Sequence, residues 1–419
     1  MALEDLTGSK YIDSLNSANP VAADDFSDGV GHLQGIKNIL KQTFANITGA
    51  VTATQADLNA TSTLAADYAP YARARKNRIF NGNFMVCQRA KTQLSIVTQD
   101  FAADRWRVVY SHAAVFNTSL VAAADASLPF SHYMNMSPST ADASMAAADL
   151  GGYVYRIEGP DVDDFRLGTA GAETFTLSFW HAHTKTGTHS VSFRNSANDR
   201  SYVAEYTQSS ADTWEHAEIT VDGDTSGTWL IEEATIGLNI HFAHGIGSNY
   251  TKAAGSWGAG NYLGSTGQAN NYDSTSNYFK LANVQLELGS AATDFERRSF
   301  AEELALCKRY YEKSYNYDVF SGTAASAYGM EAIYLSGIAT AVHSAGANVN
   351  FAVQKMTTPS VYGYSTVSGT VGYSYDYAAA ADVAVTMSTQ GTHGFRWIST
   401  VGSSNTVNLG VQWVAGAEL

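Results

Sequence analysis

Apolar residues recur at every second position in segment after segment of this chain, and that period decides what it can fold into. Phe175, Leu177 and Phe179 form one such set, and Ile236, Leu238, Ile240 and Phe242 form another. Successive side chains of a strand point to opposite sides, so the spacing marks strands with one buried face. Several of them in succession predict a sandwich. The chain has 419 residues, room for two or three cores when compact domains usually run to about 100–200 residues.

Only 15% of residues are charged, while Gly, Ser, Thr, Asn and Tyr are abundant. Strands and turns held in solution by neutral polar side chains fit that balance. The 24 tyrosines suit a contact surface, because Tyr offers a flat apolar face and a hydroxyl at small entropic cost, although Tyr is also common in strands. Net charge is −14, from 39 acidic and 25 basic side chains, and no basic run counters the repulsion from phosphates, which argues against a nucleic-acid partner. The two cysteines, Cys87 and Cys307, read as small buried apolar residues. The start, Met1 to Asp5, lacks the basic and apolar segments of a secretory signal, and no apolar run approaches the roughly 20 residues that span a bilayer. The expectation is a chain that folds in a cytoplasm, with no membrane insertion.

Two groups of motifs bracket the long β-type region. Asn77-Arg-Ile-Phe-Asn-Gly-Asn-Phe84 and Ala103-Asp-Arg-Trp106 stand in front, and Val284-Gln-Leu-Glu-Leu-Gly289 and Asp294-Phe-Glu296 stand behind. With Phe175 to Trp180, Phe193 to Ser196, Asp199 to Tyr206 and Glu302 to Tyr311 in the same order, the region resembles the carbohydrate-binding-type jelly roll of bacteriophage tail fibres. Further upstream, Tyr11 to Asn16, His32 to Lys37 and Thr43 to Thr54 are similar to the N-terminal attachment region of such fibres, which implies a virion anchor.

The residues themselves give that region a helical character. Val30, Leu33, Ile36, Leu40 and Phe44 recur at three and four, the stripe of an amphipathic helix with one face in need of a neighbour. The register continues through Ile47, Val51 and Leu58, but Gly49 and its Thr-rich surroundings predict two helices, the second capped by Thr54 and ended by Pro70. A helical hairpin packed on its own β domain fits the same periodicity.

Ser299-Phe-Ala-Glu302 reads as a capping box that opens a short helix. Alternation returns at Val383, Val385 and Met387 and again at Val407, Leu409, Val411 and Trp413, predicting a second, smaller sandwich. The resulting organisation is mainly β: an N-terminal helical anchor and stalk (residues 1–76), a central jelly-roll β-sandwich (77–298), a linking helix (299–314) and a C-terminal β-sandwich tip (315–419). The family resemblance implies a parallel homotrimer.

Three groups of residues carry candidate chemistry. Between Tyr250 and Tyr278 a Gly-, Ser- and Asn-rich stretch brings Tyr250, Trp257, Asn261, Tyr262 and Tyr272 together. Aromatic faces pack on the C–H side of a pyranose and amides bond its hydroxyls, so these are candidate glycan contacts; the alternative is a structural loop whose aromatics seal the sandwich edge. Asp222, Asp224, Ser226 and Glu233 fall at positions one, three, five and twelve of a calcium loop with Gly227 at six, yet the preceding residues read as a strand, so a plain Asp/Gly turn competes with the calcium site. His181 and His183 share a strand face and, with His189, match a zinc set or a subunit contact.

No nucleophile elbow or phosphate loop is present. The family resemblance implies a structural subunit of a phage tail fibre, located in the virion after assembly in the host cytoplasm, and the missing motifs make the expectation a non-enzymatic one. Its N-terminus would dock on tail, baseplate or adaptor proteins, and it would recognise host surface polysaccharide or lipopolysaccharide, with calcium as the one cofactor the spacing admits. A polysaccharide-cutting tailspike, or a glycan-binding or connector module without a receptor role, are the alternatives.

Overall fold

A computed structural model of the chain describes Leu33, Ile36, Lys37 and Leu40, and then residues 76–419 apart from 90, 91, 94–97 and 99. Two compact units divide the chain, Met1–Asp67 and Tyr68–Leu419. In the first, the four described residues are helical, and Leu33 and Leu40 of the predicted stripe are exposed. Val30, Phe44 and the second expected helix lie outside the described residues. Among the described residues no helix is long and apolar enough to cross a membrane.

The second unit is mainly β. One sheet has six strands, in the order Thr92–Gln93, Val115–Ala122, His132–Thr140, Phe279–Leu288, Phe175–His183 and Glu215–Val221. A second has seven, in the order Trp257–Ala259, Arg200–Gln208, Gly187–Arg194, Ile236–Ile246, Leu150–Glu158, Trp106–Tyr110 and Phe101–Ala103. Neighbours far apart in sequence pair antiparallel, the interleaving of a jelly-roll-type sandwich. The period-two residues do what their spacing predicts: Phe175, Leu177 and Phe179 face Ile240, Phe242, Phe193 and Tyr153 in one core. Trp106 is fully buried in it, 5.0 Å from Phe84, 5.0 Å from Tyr155 and 5.9 Å from Phe242 between ring centroids. Burying each such ring contributes about 1.5–3 kcal/mol.

The bracketing motifs meet in space. Arg78 N donates to Leu286 O at 2.9 Å and Val284 N to Gly82 O at 2.9 Å, so the first motif lies along the strand that carries the second. Asn77 ties both ends: its Nδ2 donates to Val284 O at 3.2 Å, and its backbone N to the Glu296 carboxylate at 2.7 Å. Trp106 Nε1 donates to Asn81 O at 3.1 Å.

Helix Phe300–Lys308 follows, with Ser299 as its cap, accepting from Glu302 N at 3.3 Å. Glu303 turns inward and accepts from Asn81 N, which anchors the helix to the first motif. Beyond it the expected second sandwich is instead one six-stranded sheet. The 23-residue strand Gly394–Gly416 pairs with Tyr311–Lys313, Glu331–Asn350, Ser360–Ser365, Tyr373–Asp376 and Ala381–Ser388 at different points along its length. A strand this long twists, so the partners at its two ends face different ways and the sheet curls around its own core of Phe395, Trp397, Leu409, Val411 and Trp413. Curling supplies the second layer that a separate sheet would have given.

Candidate aromatic groove on the outer sheet face

Alternation along Phe175–His183 sends Phe179 inward and therefore Trp180 outward. Register places His216 directly opposite Trp180, and Glu218 opposite Ser178. The Trp180 and His216 rings lie 5.1 Å apart. Beside them Trp214 stands edge-on to Phe130 at 4.6 Å and to Tyr133 at 5.3 Å, while Phe130 reaches Trp180 at 6.2 Å. Lys280 extends over the Tyr278 ring at 4.0 Å and the Tyr133 ring at 5.8 Å. Burial holds its ammonium below the ordinary lysine range and pushes the Tyr278 hydroxyl up, an effect that a hydrogen bond with Asp212 strengthens.

The segment from Ala292 to Arg297 crosses this face and closes one side. Together with Pro129, Ser178, Trp180, His216, Glu218 and Asn283 it encloses an open groove of about 460 Å³. Asn283 occupies an irregularity in the pairing of Phe279–Leu288 with Phe175–His183, at a φ of 45°. A bulge of this kind re-aims a side chain, and here Asn283 Nδ2 donates to Pro129 O at 3.0 Å, fixing the groove wall. The result is a half-buried tryptophan plane ringed by hydroxyl, amide, imidazole, carboxylate and guanidinium groups. Such a surface stacks on the apolar face of a sugar ring and bonds its hydroxyls.

Sequence reading missed this groove. One local signal was available, the tryptophan at odd parity to the buried Phe175, Leu177 and Phe179. The other members come from strands distant in sequence and are united only by the topology.

The residues expected to bind glycan are not brought into one pocket. Tyr272 is fully buried, 4.0 Å from His112 and 5.5 Å from Phe116 between centroids, and so belongs to the core. Trp257 packs against Tyr202 at 5.4 Å and Trp229 at 5.4 Å, and its Nε1 donates to Asp222 O at 2.6 Å. Asn261 accepts from Arg194 at 2.6 Å, Tyr262 lies 5.8 Å from the Lys252 ammonium, and Tyr250 closes a short 3-10 turn. Trp257–Ala259 forms the edge of the seven-stranded sheet, which is the edge-sealing arrangement.

The calcium spacing is filled differently. Both Asp224 oxygens accept from Arg200, at 2.8 and 2.6 Å, and one also accepts from Ser226 N at 3.1 Å. Asp222 accepts from Thr174 at 3.1 Å, and Glu233 is exposed. A guanidinium thus pairs with the Asp224 carboxylate of this loop. Among the described residues no group of three or more His, Cys, Asp or Glu side chains is placed to hold a metal ion, and that covers the zinc reading of His181, His183 and His189.

No protein-family model and no curated protein sequence matches the chain. Solved structures resemble part of it. The enzymatically active domain of tailspike protein 4 of bacteriophage CBA120 is similar at 12% identity and a TM-score of 0.28, covering 51% of this chain and 21% of that one. The family 11 carbohydrate-binding module of a Clostridium thermocellum cellulase is similar at 15% identity and a TM-score of 0.26, covering 49% and 98%. A xylan-binding domain from Paenibacillus barcinonensis is similar at 10% identity and a TM-score of 0.22, covering 48% and 94%. The chain spans about a fifth of the tailspike structure, 21% of its length. Likenesses of this size assign neither a family nor a ligand.

Proposed function

We propose that this protein is a tail-fibre-type adhesin of a bacteriophage that binds a host surface glycan without cutting it. The groove around Trp180 carries the proposal, because a half-buried indole with His216 against it and amide, hydroxyl and charged groups at its rim is a sugar-binding surface in search of a ring. Residues 1–76 attach the protein to the tail, baseplate or an adaptor. The amphipathic stripe that the sequence predicts from Val30, Leu33, Ile36, Leu40 and Phe44 assembles three parallel copies, and the exposure of Leu33 and Leu40 supports a helix face that wants a partner. Three grooves on one particle turn modest contacts into firm adhesion, because each additional site binds at the high effective concentration set by the first.

The test is retention of the purified full-length chain on immobilised host polysaccharide, with reducing ends assayed in the same incubation. Retention that falls when Trp180 is replaced by Ala, with no reducing ends released, is the expected result. Turnover of the polysaccharide overturns the non-enzymatic reading. Undiminished retention by Trp180→Ala overturns the assignment of the groove.

A further inference from the structure

The inner face of the strand that carries Trp180 holds His181 and His183, and they do not stand alone. His189 from Gly187–Arg194 stacks on His183 with ring centroids 3.6 Å apart and planes 20° from parallel. His181 lies 5.5 Å from His183, and His244 from Ile236–Ile246 lies 4.2 Å from Phe279, which also touches His183 at 4.6 Å. All four imidazoles are at most 1% exposed. Together they form a layer between the two sheets.

The hydrogen bonds assign the protons. Asn271 bridges the stacked pair: its Oδ1 lies 3.3 Å from His183 Nδ1, and its Nδ2 lies 3.3 Å from His189 Nδ1. The first nitrogen therefore donates and the second accepts. His189 Nε2 then donates to Lys185 O at 2.9 Å, and His183 Nε2 accepts from the Tyr206 hydroxyl at 3.4 Å. His181 Nδ1 meets Gln208 Oε1 at 3.0 Å, and neither ring nitrogen of His244 has a partner. Each bridged imidazole is neutral, and a second proton on His189 would point at the Asn271 amide hydrogens.

The surroundings offer no compensating charge inside the layer. Tyr206, Tyr153 and Tyr272 face it from the neighbouring strands and the covering loop. Glu215 stands at the rim, bonded to Gln208 and to Ser209 and Ser210. Lys185 is paired with Asp273, and His112 adjoins through Tyr272 with Asp142 and Asp149 near it. His241, on the strand of His244, lies buried with the Arg194 guanidinium near it, so both His112 and His241 add positive neighbours to His244 on protonation. Burial, reinforced for His183 by His189, His181 and His244, pushes the group down: His181 and His189 to about 4, His183 and His244 well below the ordinary range.

We propose that this four-imidazole layer is an acid-sensitive latch, closed while the rings are neutral and opened cooperatively when they take up protons. An unfolded or parted chain accepts these protons near the usual imidazole value of 6.5, whereas the closed sandwich refuses them until about 4 at His181 and His189 and lower still at His183 and His244. Stability is therefore complete above 6.5 and is lost as pH falls from there toward 4. At pH 5 each refused proton lowers the closed-to-open ratio roughly 30-fold. Opening lets several rings take up protons together, so the loss with falling pH is steeper than for a single titration.

The experiment is denaturant unfolding of the full chain at pH 7.5 and pH 5, comparing it with His244→Phe, with His181→Asn as the second variant should the first not fold. A loss between the two pH values about 30-fold smaller in the variant than in the parent is expected for each imidazole removed, while His393→Ala, an exposed site, behaves as the parent. Equal pH losses in parent and layer variants overturn the latch. So does a His393→Ala variant that recovers as much as they do. Glycan retention is not the readout, so the result stands apart from the fate of the adhesin reading.

Discussion

Arg105 and Glu418 form an ion pair of 2.9 Å that crosses from the sandwich to the end of the curled sheet. The Arg105 guanidinium also lies over the Tyr310 ring at 3.4 Å, and Arg89 bonds the other Glu418 oxygen at 2.8 Å while pairing with Asp104 at 2.9 Å. Arg309 grips Glu158 with two bonds, of 2.7 and 2.8 Å, a short way along the same seam. The Asp104-Arg105-Trp106 motif thus joins core and tip: its tryptophan packs in the sandwich core and its charges hold the curled sheet.

Replacing Glu418 by Ala takes the carboxylate from Arg105 and leaves Arg89 with Asp104 alone, and losing one partner of a buried pair costs roughly 3–5 kcal/mol. A thermal melt should register this as a large drop in Tm, with Glu418→Gln intermediate because the amide still accepts hydrogen bonds. An unchanged midpoint for Glu418→Ala would mean that the seam draws its strength from apolar packing alone.

Trp180→Ala should leave the sandwich folded, since the indole faces outward from the core. Aromatic contacts of this type contribute ~0.5–1.5 kcal/mol, so glycan affinity at one groove should fall by roughly two- to tenfold. Trp257→Ala, on the sealed edge of the other sheet, should instead lower Tm with little effect on binding. Isothermal titration with host oligosaccharide, beside a melt of each variant, separates the two outcomes.

Much of the fold was readable because a two-residue period is a direct imprint of one-sided burial. Phe175, Leu177 and Phe179 announce their strand whatever lies around them. The groove was not readable in the same way. Trp180 meets His216 and Phe130 only because strands distant in sequence come together, and no local pattern encodes that. Tyr272 shows the converse, since a Gly- and Asn-rich context suggests exposure while the loop in fact turns its ring into the core. The single curled sheet was hidden for a related reason: alternation reports which side of a strand is buried and says nothing about how far the sheet bends.

Gly82 lies where the bracketing motifs meet, and a Cβ there would fall 2.1 Å from Val284 O. That oxygen belongs to a backbone fixed by the hydrogen bond from Asn77 Nδ2, and it cannot retreat without opening the pairing. Gly82→Ala should therefore destabilise by about 1–3 kcal/mol, the usual cost of overpacking. Urea unfolding measures the loss. A variant as stable as the parent would show that the first motif is not held along Phe279–Leu288 as tightly as its hydrogen bonds indicate.

The turn around Asp224 yields the last prediction, through the difference between an ion pair and a metal site. Asp224 is 2% exposed in its side chain and accepts two bonds from Arg200, whose side chain is 19% exposed. Asp224→Ala should cost about 1.5–3 kcal/mol, the range for hydrogen bonds to charged groups. A chelator should not reproduce that loss in the parent, and added calcium should not raise its urea midpoint. Were calcium to stabilise the parent but not Asp224→Ala, the cation would have to displace Arg200, and the guanidinium would then be a placeholder in the loop.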